Sequence, residues 1–187
     1  MAIEDNQLGI FKGFWDGNHP HHLPLMNLRN DTTNRDWNLE ISLNRIENIF
    51  QENERQIIIK DLELLIKQNN WRPQLIFCIS ILKLKDEELP NLKKELWNKL
   101  EEYRSWVIPQ LAVTASIVDS NFKSMAIEIL KNKKQINDLD ALNSEEILIE
   151  LTKGNTQFED KSSITIRWKE NLLKLIQEEK IKTEHNN

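Results

Sequence analysis

Asn70-Trp71-Arg72-Pro73-Gln74-Leu75 returns, lengthened by one residue, as Ser105-Trp106-Val107-Ile108-Pro109-Gln110-Leu111. The two tryptophans are 35 residues apart and the two Pro-Gln-Leu triplets 36 apart. Each copy reads as a polar cap, a Trp, and a proline in the first turn of a helix, where its missing N–H costs nothing. The run that follows is apolar on nearly every face: Leu75, Ile76, Phe77 and Ile79 in the first copy, Leu111, Ala112, Val113, Ala115 and Ile117 in the second. Such a helix needs neighbours on several sides. Each copy is preceded by an amphipathic segment. Residues 54–68 place Ile58, Leu62, Leu65 and Ile66 on one face, and the segment from Leu89 places Leu92, Leu96, Leu100 and Tyr103 there. The unit is a helix pair of about 36 residues, near the period of α-solenoid repeats. One such unit cannot bury its apolar face alone, so the expected architecture is an all-α stack of helix pairs, with an irregular helical bundle as the alternative.

Three pairs are expected, over 36–84, 89–118 and 120–152. The first opens with Leu39, Leu43, Ile46 and Phe50 at helical steps behind a cap at Asn34 or Asp36. The last opens at Phe122 behind Asp119 or Ser120 and continues through a helix at 144–151 that Gly154 ends. A helix at 163–180, carrying Trp168, Leu172, Leu175 and Ile176, caps one end. Residues 1–35 hold Gly9, Gly13, Gly17, Pro20 and Pro24 and read as an irregular arm, with Phe11, Phe14 and Trp15 anchoring it. The whole of 1–187 is read as one helical domain.

Composition agrees. Only 4 of 187 residues are Gly and 5 are Pro, and 3 Val, 7 Thr and 1 Tyr stand against 25 Leu and 23 Ile, which disfavours a sandwich or barrel. At 39% hydrophobic with six Trp, the chain is too apolar for disorder. The net charge of −5 supplies no field for nucleic-acid backbone. A first segment lacking a basic, then apolar, pattern and the absence of a long apolar run suggest a soluble cytoplasmic protein. The single Cys78, among Leu75, Ile76, Phe77 and Ile79, reads as a buried thiol in a reducing compartment. High Asn, Ile and Lys suggest an AT-rich, bacterial genome.

With an amphipathic helix before Trp-x-x-Pro-Gln-Leu, the chain resembles the HEAT-like helical repeat proteins. Over residues 54–130, Leu96-Trp97, the stretch Ser105 to Val113, and Asp119 with Phe122 and Ala126 are similar to small bacterial immunity proteins of polymorphic toxin systems. The resemblance implies a binding scaffold and no catalysis. It departs from ordinary HEAT units in lacking an Asp-x-x-x-Trp-x-Val-Arg helix opening.

Among groups that carry chemistry, His19, His21 and His22 form the sole histidine cluster, with a spacing that does not fix a tetrahedral metal site, and read as a solvated turn; no metal or other cofactor is expected. The pairs Glu87-Glu88, Glu101-Glu102 and Glu145-Glu146 point about 100° apart on a helix and cannot flank one bond. No phosphate loop or hydrolase nucleophile pattern is present. Trp71, Pro73, Trp106 and Pro109 are read as structural markers of the repeat, with both indoles and that of Trp97 packed. Partner-binding candidates are Arg72, Gln74 and Gln110 at the helix openings, and Asp86, Glu87, Glu88, Glu101, Glu102 and Asp119 near the turns. Carboxylates there would steer a basic partner, so the expected function is neutralisation of a cognate toxin domain, for instance a basic nuclease, by occluding its active site. The alternative is a non-inhibitory helical adaptor. A helical-repeat DNA glycosylase would need a basic groove, which the charge balance opposes.

Overall fold

A computed structural model describes residues 8–14, 19–29, 36–102, 105–132, 147–149, 151–152 and 164–185. Every regular element among them is helical. A 3-10 turn at Gly9–Phe14 is followed by α1 (Leu23–Asn27), α2 (Leu39–Glu52), α3 (Arg55–Lys67), α4 (Trp71–Ser80), α5 (Pro90–Glu101), α6 (Ile108–Val118), α7 (Phe122–Asn132) and α8 (Ile164–His185). Asn34, Trp15, Tyr103, Gly154 and much of the expected third pair lie outside the described residues. None of the described helices is long and apolar enough to cross a membrane.

Local chemistry sets the boundaries. The cap of α2 is Asn38 rather than Asp36: its Oδ1 accepts the Ile41 N–H at 2.9 Å, and Asp36 lies two residues too early to reach the first-turn donors. Asn70 caps α4 by accepting the Arg72 N–H at 3.0 Å. Pro90 begins α5, where no donor is needed. Helix α6 starts at Ile108 with Pro109 second, and its capping position is Val107, not Ser105.

The amphipathic stripes point as their spacing requires. Ile58, Leu62, Leu65 and Ile66 of α3 are fully buried, as are Leu92 and Leu96 of α5. Helix α3 packs on α4 and on α5, α5 packs on α6, and α4 packs on α6. The four helices therefore form a closed quartet in which like members of the two copies touch. Helices α4 and α6 bury almost every side chain, Pro73 through Ser80 in one and Gln110 through Ala115 in the other. Their second face is covered by the chain's two ends: α1 lies on α4, and α8 lies on both α6 and α1.

The N-terminal segment is part of the core. Leu8, Phe11 and Phe14 are completely buried, and the 3-10 turn sits on α3 and α2. It begins at Gly9, whose φ of +54° lets the chain pass directly over Asp61. The Asp61 carboxylate accepts the Ile10 N–H at 2.9 Å. Helix α1 ends with Leu28 in the left-handed region, its N–H donating to the Pro24 carbonyl at 3.0 Å. The remaining end carbonyls are met from far along the chain. Trp168 Nε1 donates to Leu25, Gln110 Nε2 to Met26, and Asn171 Nδ2 to Asn27. A five-residue helix is too short to be stable alone, so these donors and the apolar contacts fix it.

Candidate functional site

The extra residue in the second copy changes where its tryptophan points. In the first copy Trp71 is the first residue of α4, half-buried, with the His22 ring in a T-shaped contact at 5.5 Å between centroids and the Arg72 guanidinium over its face at 4.8 Å. In the second, two residues separate Trp106 from Pro109. Trp106 stands in the turn ahead of α6, and Val107 and Ile108 take the buried positions. Trp106 is 82% exposed. The expectation that both indoles are packed pillars is thus corrected for Trp106: one inserted residue moves it off the helix and into solvent. Trp97, by contrast, is buried, its Nε1–H donating to Asp119 Oδ2 at 2.7 Å and its ring 5.5 Å from that of Phe122.

Trp71 and Trp106 share one cleft of about 790 Å³, lined also by Asn69, Gln74, Lys99, Glu101, Glu102 and Ser105. This is the size range of ligand clefts, yet its floor is polar. Gln74 is buried beneath it. Its Nε2 donates to the Gln68 carbonyl at 2.7 Å, and its Oε1 accepts from the Ser105 hydroxyl, so the glutamine of one copy is tied to the serine of the next. Lys99 is buried along its stem, with its ammonium 2.7 Å from the Glu102 carboxylate. Glu101 is exposed and makes no ion pair among the described residues.

The other candidates divide into structural and free groups. Gln74 and Gln110 are both 2% exposed and bond main-chain carbonyls, so neither is placed to meet a partner directly. Glu88 is held by Arg55 Nε at 2.9 Å and accepts the Lys85 N–H at 2.7 Å; it closes a turn. Asp119, bound to Trp97, also accepts the Asn121 N–H at 2.9 Å and joins α6 to α7. Asp86 and Glu87 are exposed before α5, whereas Glu101 and Glu102 lie at its other end. A 12-residue helix separates them by about 18 Å, so the carboxylates form two groups, not one patch.

One further expectation changes. His21 and His22 do not lie in a solvated turn: they are 1% and 4% exposed, carried inward by the turn that starts α1. Burial, with the Arg72 charge adding to it, lowers the His22 imidazole to about 4, so it is neutral at neutral pH. No three His, Cys, Asp or Glu side chains among the described residues converge as a metal site would require. Cys78 is fully buried beside Thr114, and desolvation pushes its thiol up to about 12.

Lys99, Asn69 and Ser105 entered the cleft without having been singled out as ligand groups. The signal available for them was the unequal spacing, two residues from Trp71 to Pro73 but three from Trp106 to Pro109. Comparison with protein-family models, characterised proteins and solved structures finds no match to this chain.

Proposed function

We propose that this protein is a non-catalytic helical binding scaffold of the immunity type, which neutralises a toxin domain by docking on it at the Trp106 cleft and occluding its active site. The observation that carries the reading is the 82% exposure of Trp106 at the mouth of a cleft. A solvent-facing tryptophan costs the free protein solubility and is the side chain most enriched at the energetic centres of interfaces. The closed quartet α3–α6, with like members of each copy in contact, supports a HEAT-like stack. The face of α4 and α6 away from α3 and α5 is taken up by α1 and α8, whereas the turn ahead of α6 leaves Trp106 in solvent. The charge of −5 and the carboxylates of Glu101 and Glu102 at this cleft favour a basic partner, and a basic nuclease domain fits.

The test is co-expression with the products of genes flanking its own. Growth arrest by one of them, relieved by the wild-type chain and not by Trp106→Ala, is the expected result. Absence of any toxic flanking product, or equal relief by both chains, overturns the reading. A flanking product that binds at the cleft without being toxic points instead to the adaptor.

A further inference from the structure

The chemistry of the cleft says which group of a partner it receives. Its two indoles are in different states. Trp71 is occupied from within the chain, by the Arg72 guanidinium on its face at 4.8 Å and the His22 ring in a T-shaped contact at 5.5 Å between centroids. Trp106 lines the same cleft, and its ring is open to solvent. The charges are also unequal. Among the described residues that line the cleft, Lys99 and Glu102 neutralise each other at 2.7 Å, which leaves the Glu101 carboxylate as the excess charge beside the open indole. An exposed aromatic face beside a net negative charge selects a cation.

An aliphatic wedge is disfavoured, because it would strip water from the exposed Asn69, Glu101 and Glu102 without replacing their hydrogen bonds. Between the two cationic side chains, the planar guanidinium stacks on an indole and still presents N–H donors at its edge, and it is less strongly hydrated than an ammonium. Arg72 on Trp71 is an example of that contact on the other indole of the same cleft. We infer that the cleft receives an arginine side chain of the protein partner, stacked on Trp106 with its N–H edge toward Glu101 and Glu102. The inference rests on the reading of the chain as a protein-binding scaffold and adds the chemical identity of the contact.

The experiment uses the full chain labelled with 15N. The probe is a capped pentapeptide with one central arginine between glycines, and the control is the same peptide with citrulline, which keeps the shape and removes the charge. The readout is the indole Nε1–H signal of Trp106, assigned by its disappearance in Trp106→Phe. Expected are saturable shifts with the arginine peptide at low salt, weaker binding of a lysine peptide, affinity reduced about threefold in Glu101→Gln, and, read in Trp106→Ala at the Trp71 indole and the Asn69 side-chain amide that line the same cleft, no shift with any peptide. Because Trp106 and Glu101 are exposed, both variants keep the fold, which the unchanged remaining indole signals verify. Equal shifts with arginine and citrulline, or none with either, overturn the inference. If the peptides fail while toxin relief still depends on Trp106, the docking role of the cleft stands and the guanidinium assignment falls.

Discussion

The indole N–H of Trp168 donates to the main-chain carbonyl of Leu25 at 2.9 Å, joining residues 143 positions apart. Trp168 is 1% exposed, so this bond is made in a dry environment where a lone carbonyl is costly. With Gln110 on Met26 and Asn171 on Asn27, three successive carbonyls at the end of α1 depend on α6 and α8. Trp168→Phe keeps most of the apolar volume and leaves the Leu25 carbonyl unpaired, and is expected to cost about 1–3 kcal/mol in urea unfolding. Trp168→Ala adds a cavity and is expected to cost about 3–5 kcal/mol. Equal stability of wild type and Trp168→Phe would remove the bond from the account of how the two ends close on each other.

Gly9 holds the other attachment of the N-terminal segment. At φ +54°, a Cβ there would collide with the Asp61 carboxylate that accepts the Ile10 N–H. Gly9→Ala is expected to destabilise the protein by more than about 1 kcal/mol, and to speed hydrogen exchange at Ile10 and Phe11 before the rest of the chain. Asp61→Ala removes the acceptor while leaving room, so it should expose the same amides with less strain. Unchanged exchange at Ile10 in both variants contradicts this tie.

His22 makes stability depend on pH. Its folded value of about 4 lies below the ordinary 6.5, so between these the unfolded chain binds the extra proton. The stabilisation is complete above pH 6.5 and is lost as pH falls through 4, a change on the order of 2–3 kcal/mol. Carboxylates titrate in the same window, so the measurement is the difference between wild type and His22→Gln in denaturant midpoint from pH 7 to pH 4. The two curves should converge as pH falls. Parallel curves would place the imidazole in a solvated setting.

Cys78, the sole thiol, reports opening of the α4–α6 seam. With its thiol raised to about 12 and no exposed surface, it is expected to resist iodoacetamide at pH 8 in the native state and to react fully in guanidinium. Rapid labelling of the native protein contradicts the packing of Cys78 against Thr114.

The stripes of α3 and α5 and the all-apolar runs of α4 and α6 were legible in sequence, because helical spacing alone says which side chains must leave water. Asn70 as a cap was legible for a similar reason, being set within three residues. The polar interior was not. Gln110 reads equally as a groove residue or a buried one until Met26, 84 positions earlier, supplies its carbonyl. His21 and His22 follow the same rule: the polar arm around them suggests solvent, and only the approach of Trp71 and Arg72 to His22 shows burial. Trp106 misled in the opposite direction. Likeness to Trp71 suggested packing, whereas the one-residue insertion, visible in the sequence, decides its exposure.

The most direct test of the proposed binding role is calorimetry with the purified partner identified by co-expression, comparing the wild-type chain with Trp106→Ala at matched salt. An interface centred on this indole predicts that the variant binds at least about tenfold more weakly, with its unfolding midpoint unchanged. Equal affinity of the two chains for that partner would contradict the claim that the protein acts through the Trp106 cleft.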